Sequence, residues 1–319
     1  MKVGTIGTSA IAEEFIQALS LVEETSLHAV FALTEDEAKA FATKHGAQKY
    51  YCDLERMVTE SGVDIIYIAS PNVFHVEQAL LFMNKGIHAL IEKPVALTSA
   101  DFERLKKAAK ENNCFFLEAM RPMHHPHITI IEEELKQMGN IKHVYFHFMN
   151  YSSKYDKYKQ GEITSAFSTD TGGGALYDLG VYPLTVAYRL FGKPSSYDID
   201  SVKLKSGVDG ISNIILRYDG FNCMISVSKI STSTNDNEIH TDAETMLVNH
   251  ITQLKRIEIK TKDASRIVVD QLLTNDMTYE IKDFIEIIKD NDSQRFNYYT
   301  DFSHNIVRVI EDLKRKSEI

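Results

Sequence analysis

The feature that most limits the fold is the alternation, over the first 118 residues, of short apolar runs with amphipathic helical stretches. Strands are expected over 2–7, 26–33, 64–69, 89–91 and 114–118, and helices over 36–45, 53–60, 74–85 and 100–110. A further helix follows the first strand, with Ile11, Phe15, Ala18 and Leu19 at helical spacing. Strands and helices alternating at this spacing wind a parallel sheet with helices on both faces. The run Asp64-Ile65-Ile66-Tyr67-Ile68-Ala69 is nearly all apolar, as a strand covered on both sides must be. Past Arg121 the pattern changes to one helix over 124–136 and then mostly strands, over 143–151, 201–205, 211–218, 223–230, 245–249, 256–260 and 266–269. Short turns such as Asp219-Gly220 make that second sheet mostly antiparallel and open. The expectation is an α/β chain: a parallel-sheet domain over 1–121, then an α+β domain over 122–319 carrying a large antiparallel sheet.

Length supports two domains, since 319 residues exceed one ordinary core. A net charge of −10 argues against nucleic acid or an anionic membrane as partner, because both call for clustered Lys and Arg. No apolar run approaches a membrane span, and the start, Met-Lys-Val-Gly-Thr-Ile, reads as a strand rather than a signal peptide. Cys52, Cys114 and Cys223 are far apart and lack metal-type spacing, which fits reduced thiols and a cytoplasmic protein. His124, His125 and His127 have no carboxylate or cysteine at ligand spacing, so no metal is expected.

Three turns leave the same edge of the parallel sheet, its carboxyl end, where ligands of such folds collect. The first is Gly7-Thr8-Ser9-Ala10-Ile11-Ala12, a strand–turn–helix junction matching the ends of a dinucleotide fingerprint, with Ser9 in place of the middle glycine. The helix start there offers N–H groups to a phosphate. The second is Ser70-Pro71-Asn72, with His75 just beyond, a turn that also reads simply as an Asn-capped helix start. The third is Glu92-Lys93-Pro94, where proline forces the chain out of the sheet and holds Lys93 at its edge. A lysine in a partly dry cleft can donate or relay a proton, and Glu92 beside it could tune that; the same residues also fit a surface ion pair at a turn.

In the second half, Gly172-Gly173-Gly174 opens a helix expected to run through Leu190 to Gly192. Asp178 and Tyr182 are four apart and share a face of it. A carboxylate and a phenol so placed suit proton handling, although Asp178 could equally cap the helix and Tyr182 could be core. Pro183 removes an internal hydrogen bond beside the pair.

Taken in order and spacing, the Gly7–Ala12 turn, Ser70-Pro71-Asn72 with His75, Glu92-Lys93-Pro94, Glu118-Ala119-Met120, and Gly173-Gly174-Ala175-Leu176 with Asp178 and Tyr182 resemble the glucose–fructose oxidoreductase/inositol dehydrogenase/MocA (Gfo/Idh/MocA) family along the whole chain. Tyrosine at 182, where many members have histidine, resembles the dihydrodiol-dehydrogenase and glucose–fructose oxidoreductase branches, of which the dihydrodiol-dehydrogenase-like group is taken as the nearer. The resemblance implies a Rossmann domain and a second domain whose sheet often forms the oligomer contact. It implies an NAD(P)-dependent oxidoreductase acting on CH–OH groups, moving hydride between nicotinamide and a small polyol, sugar or diol. Lys93 and Tyr182 would be the catalytic pair, with Asp178 orienting substrate hydroxyls beside Arg121. Cofactor contacts would come from Gly7, Thr8, Ser9, Ala10, Ile11, Ala12, Leu33, Thr34, Ser70, Pro71, Asn72, His75, Glu92 and Lys93. Two other readings stay open: an NAD-dependent glycosidase with transient oxidation, and a non-catalytic NAD(P)-sensing regulator.

The second strand ends in Ala32-Leu33-Thr34, without the arginine that relatives aim at an adenosine 2′-phosphate and without the aspartate of strict NAD enzymes. Glu35 and Asp36 would repel that phosphate, which tilts the expectation to NAD over NADP, with Lys39 as the counterweight. Thr34 and Glu37 have capping-box spacing. Both faces of the 143–151 strand are free of acids and lysines, so a homodimer or higher even assembly is expected.

Overall fold

The computed structural model describes residues 1–271 and 274–318. Contacts divide the chain into two compact units, Met1–Ala119 with Asn275–Arg308, and Met120–Thr274 with Val309–Ile319. The return of Asn275–Arg308 to the first unit has a packing cause. The helix Met277–Asp290 carries Met277, Ile281, Phe284 and Ile285 on one face, and they join the core built on Val3, Phe15 and Tyr67.

In the first unit, strands β1 (Lys2–Ile6), β2 (Ser26–Phe31), β3 (Lys49–Tyr51), β4 (Ile65–Ile68), β5 (His88–Glu92) and β6 (Phe116–Ala119) form one parallel sheet in the order β3-β2-β1-β4-β5-β6. Strand β3 is absent from the sequence expectation because three residues, one of them exposed, are too few to show a period. Alternation inside β4 explains its apolar run. Ile66 and Ile68 enter one core with Phe82 and Phe102, while Ile65 and Tyr67 enter the opposite one with Phe15 and Leu19. Each such fully buried side chain contributes roughly 1.5–3 kcal/mol, so neither face of the strand tolerates a charge.

Strand order reverses at β1, between β2 and β4, and the turns leaving β1 and β4 touch there. The Gly7 N–H donates to the Phe31 carbonyl at 3.2 Å, and the Ala69 N–H donates to the Ile6 carbonyl at 2.9 Å. Gly7 sits at φ +105°, and a Cβ on it would lie 2.7 Å from the Ala69 carbonyl oxygen. Only glycine permits that approach.

The second unit is built on eight strands: β7 (Ile141–Met149), β8 (Ser196–Lys203), β9 (Asp209–Tyr218), β10 (Phe221–Ser228), β11 (Asn237–Thr241), β12 (Thr245–Asn249), β13 (Arg256–Lys260) and β14 (Ser265–Asp270). Their order is β14-β13-β12-β11-β7-β10-β9-β8, antiparallel throughout except for the β7–β10 pair. Strand β11 was not expected from the sequence either. Val144 and Phe146 of β7 are buried, Phe146 against Phe191 of the helix Val181–Phe191. The helix expected over 124–136 runs over Pro126–Leu135, and a short additional helix, Arg121–His124, precedes it. His125 between them is extended because proline disfavours a helical residue before it.

Replacing Gly7 by alanine should lower stability by roughly 1–3 kcal/mol, the usual cost of a residue held in a sparsely populated backbone region plus the steric conflict with Ala69. Denaturant midpoints of the purified variant measure this; a midpoint equal to wild type would show that the turn relaxes freely.

Candidate active site

A groove of about 450 Å³ opens at the β1–β4 reversal, walled by Gly7, Thr8, Ser9, Leu33, Ala69, Ser70, Pro71 and Phe74 among others. Its walls explain two anomalies of the first unit, since Leu33 is 84% exposed and Phe74 51% exposed although both are large and apolar. A helix begins at Ala10, with Ser9 as its extended N-cap. Its first N–H groups have no partner within the helix, and with the close-packed glycine turn they suit a pyrophosphate, while Leu33 and Phe74 suit flat rings. These residues therefore fit a dinucleotide. Thr34 accepts the Glu37 N–H at 3.3 Å, half of the expected capping box. The other half is missing, because the Glu37 carboxylate instead accepts from the Thr8 hydroxyl across the groove.

His75 stands behind this wall rather than on it. It is 1% exposed, with Nδ1 2.9 Å from the Pro94 carbonyl and Nε2 2.9 Å from the Ser70 carbonyl. Burial pushes its pKa below the usual imidazole range, partly offset by the two carbonyls. The ring ties the Ser70 turn to the Glu-Lys-Pro corner, while the Ser70 hydroxyl donates to Gln78 at 2.7 Å. Asn72 begins a single 3-10 turn, Asn72–Phe74, for which Pro71 is the flanking residue.

The corner itself is knitted from below. Its Lys93–Pro94 peptide is cis. Glu92 is buried and accepts from the Tyr67 hydroxyl at 2.6 Å. Tyr67 stacks in turn on Phe15 with centroids 3.6 Å apart. The Val95 N–H donates to Glu118 at 3.0 Å. Burial, with the Glu92 charge adding to it, raises the Glu118 carboxyl to about 6, against hydrogen bonds from Ser303 and Val95 and the positive charge of Lys93. Sequence reading missed these structural roles of Tyr67 and Glu118. Buried polar atoms in the middle of apolar strands were the available signal.

In the second unit, the expected continuous α-helix over the glycine run is corrected. Leu176–Gly180 forms a π-turn, followed by the α-helix Val181–Phe191. Pro183 has no N–H to give the Leu179 carbonyl, and the wider turn falls just before it. Asp178 thus lies within the π-turn and Tyr182 in the first α-turn. Two buried groups from the sheet anchor this segment. Asp209 of β9 accepts the Leu176 N–H and the Ser212 hydroxyl, both at 2.7 Å, and Gly174 leaves room for it, since a Cβ there would lie 2.2 Å from its other oxygen. Lys229, just past β10, makes an ion pair with Asp178. The Tyr182 ring meets Phe148 edge-on at 5.6 Å, and Phe148 meets His250 at 5.4 Å. Phe148 and His250 line a hollow of about 270 Å³ with His147, Asn150 and Asn249. Burial holds His250 down to about 4, helped by the charges of Lys255, His147 and Arg121, so it is neutral at physiological pH. Neither Lys229 nor Asp209 was singled out from the sequence. Among the described residues no three His, Cys, Asp or Glu side chains could hold a metal ion, and no helix is long and apolar enough to cross a membrane.

Comparison with known proteins bears on both units. Residues 1–119 match the oxidoreductase family with an NAD-binding Rossmann fold, and residues 134–246 match the Gfo/Idh/MocA C-terminal domain. The chain is 34% identical to the Bacillus subtilis scyllo-inositol 2-dehydrogenase (NADP(+)) IolU over 318 residues, covering 98% of this chain and 96% of that protein. It is 30% identical to the trans-1,2-dihydrobenzene-1,2-diol dehydrogenase of Xenopus laevis over 225 residues, 69% of this chain and 66% of that one. Among solved structures, the 3-ketoreductase KijD10 of Actinomadura kijaniata, crystallised with NADP and TDP-benzene, superposes with a TM-score of 0.86 at 22% identity, covering 99% of this chain and 97% of the other, which is a likeness of fold. A glycine turn at the strand reversal, a proline-bounded lysine corner and two matched domains have one common explanation: the chain belongs to the Gfo/Idh/MocA family of NAD(P)-dependent oxidoreductases.

Proposed function

We propose that this enzyme moves hydride between a nicotinamide dinucleotide and the carbinol or carbonyl carbon of a small polyol, sugar or diol. The observation that carries the reading is the pair Asp178 and Tyr182 on one segment that the second sheet anchors through buried charges. When bound, the dinucleotide supplies or takes the hydride at nicotinamide C4. Tyr182 takes or gives the proton of the substrate oxygen, and Lys93 favours its phenolate form as a cation does. Asp178 accepts hydrogen bonds from substrate hydroxyls, and Arg121 contributes to substrate binding. A polyol also fits the name of the relative IolU, so scyllo-inositol heads the panel to be screened by following the absorbance of reduced cofactor.

The tilt toward NAD has no support from the relatives. IolU is named for NADP(+), and we take NADP(H) as the cofactor of this chain. Lys39, exposed on the helix Glu35–His45, then supplies the charge that the end of β2 lacks. The three free cysteines, two of them buried, fit a cytoplasmic enzyme. Self-association uses the sheet face that the helix Val181–Phe191 leaves bare. Tyr145 pairs there with Met224, which pairs with Ile215, and Met224 is 40% exposed.

Tyr182→Phe should lose ~10²–10⁴-fold in turnover, the usual worth of general acid–base catalysis, with dinucleotide affinity unchanged. Turnover near wild type on a confirmed substrate would sink the assignment. In fluorescence titrations Lys39→Ala should weaken NADPH roughly fivefold, about 1 kcal/mol for one exposed charge contact, and leave NADH alone. Equal losses for both would remove Lys39 from the site. Sedimentation at micromolar concentration should give a dimer or higher even assembly, and Met224→Lys should shift it toward monomer; a wild-type monomer would refute the interface.

A further inference from the structure

Lys229 is a cation beside the Asp178 segment that the proposed reaction does not yet use, and its position is unusual. Its backbone is pinned on both sides, the N–H donating to the Gly210 carbonyl at 3.0 Å and the carbonyl accepting the Ser152 N–H at 2.9 Å. Its side chain is 5% exposed, although a lysine stem is long and flexible enough to carry its ammonium to water from most positions. Here the ammonium stays inside, 5.6 Å from the centroid of the fully buried Phe167 ring, and pairs with Asp178. The partner is placed differently, since the Asp178 side chain is 39% exposed. Burying an ammonium is costly and is not explained by stability, because an apolar residue of equal volume packs as well or better.

The asymmetry gives the pair a direction. The deep lysine anchors, and the half-open carboxylate is what gets anchored. Anchoring matters at this point because Asp178 lies in a π-turn, a rare interruption of the α-helical ladder that is frequent at functional sites. The neighbouring residues are held in the same way: the Leu176 N–H by Asp209, and the Tyr177 ring by the Lys314 ammonium 4.3 Å from its centroid. Three consecutive residues are therefore fixed by three charged side chains from elsewhere in the second unit.

We propose that Lys229 is a positioning residue of the reaction, holding the Asp178 carboxylate aimed as an acceptor for a substrate hydroxyl. The inference rests on the reading of Asp178 as a substrate-orienting group. It predicts that Lys229 acts on substrate only through Asp178, which a merely structural lysine would not do.

A double-substitution cycle with steady-state kinetics on the polyol found in the screen tests this. Lys229→Met, close in shape and uncharged, should raise KM for that polyol about tenfold, within the range of coupling between contacting charged residues, with a smaller change in kcat and unchanged NADPH affinity by fluorescence. Lys229→Arg should recover part of the loss. In an Asp178→Asn background, Lys229→Met should change KM by less than about twofold, because the group it positions is gone. Unchanged KM in Lys229→Met, or an undiminished tenfold effect on top of Asp178→Asn, overturns the inference. Tyr182→Phe serves as the reference in the same assay. If it is inactive while Lys229→Met has normal KM, only the Lys229 inference fails; if it stays active, the function reading fails, and the KM cycle still decides the role of Lys229.

Discussion

The hydrogen bond from Tyr67 to Glu92 is the contact on which the functional edge of the first unit depends. Tyr67 is fully buried on the central strand β4 and stacks on Phe15 of the first helix. Its hydroxyl can be satisfied in that core only by a polar partner, and Glu92 at the end of β5 supplies it. One side chain thereby connects the helix after the glycine turn, the strand at the order reversal and the corner that carries Lys93. The remaining ties have the same character. His75 reaches the Ser70 and Pro94 carbonyls, and Glu118 receives the Val95 N–H. A corner held by buried polar groups with fixed partners resists small displacements, because every shift leaves a desolvated donor or acceptor unpaired.

The second unit solves a related problem with charge. A helix that must carry a carboxylate and a phenol near its start also contains Pro183, and its first turn is a π-turn. The α-helical hydrogen-bond ladder is interrupted in such a segment. Asp209 and Lys229 provide a constraint from β9 and from the end of β10, and they do so from positions nearly closed to water. Burial makes Asp209 harder to ionise, yet the Leu176 N–H and the Ser212 hydroxyl both donate to it, which favours the charged form. Both anchors are costly unless paired, and both are paired with the segment that bears the proposed chemistry.

Several features were legible in the sequence because they depend on neighbours along the chain. The strand–turn–helix at Gly7, the alternation that makes the first sheet parallel, the Glu-Lys-Pro exit from β5 and the glycine run before Asp178 are all local patterns, and the family follows from their order. Strands β3 and β11 were not legible, β3 being three residues long and β11 having Ile239 as its single apolar side chain. Lys229 looked like any lysine ending a strand, and Asp209 like any aspartate in a turn. His75 was read as a cofactor contact from the family resemblance, and only the fold shows that its buried ring meets the Ser70 and Pro94 carbonyls.

What the sequence by itself determined is the set of elements and the edge at which their turns collect, because hydrophobic period, glycine and proline act over a few residues. What only the tertiary structure decided is which polar groups lose water together. Lys229 and Asp178 are 51 positions apart, Tyr67 and Glu92 are 25 apart, and Leu176 and Asp209 are 33 apart. The free energy of each pair depends on its burial and on the distance between its atoms, and neither exists until the sheets have closed around them.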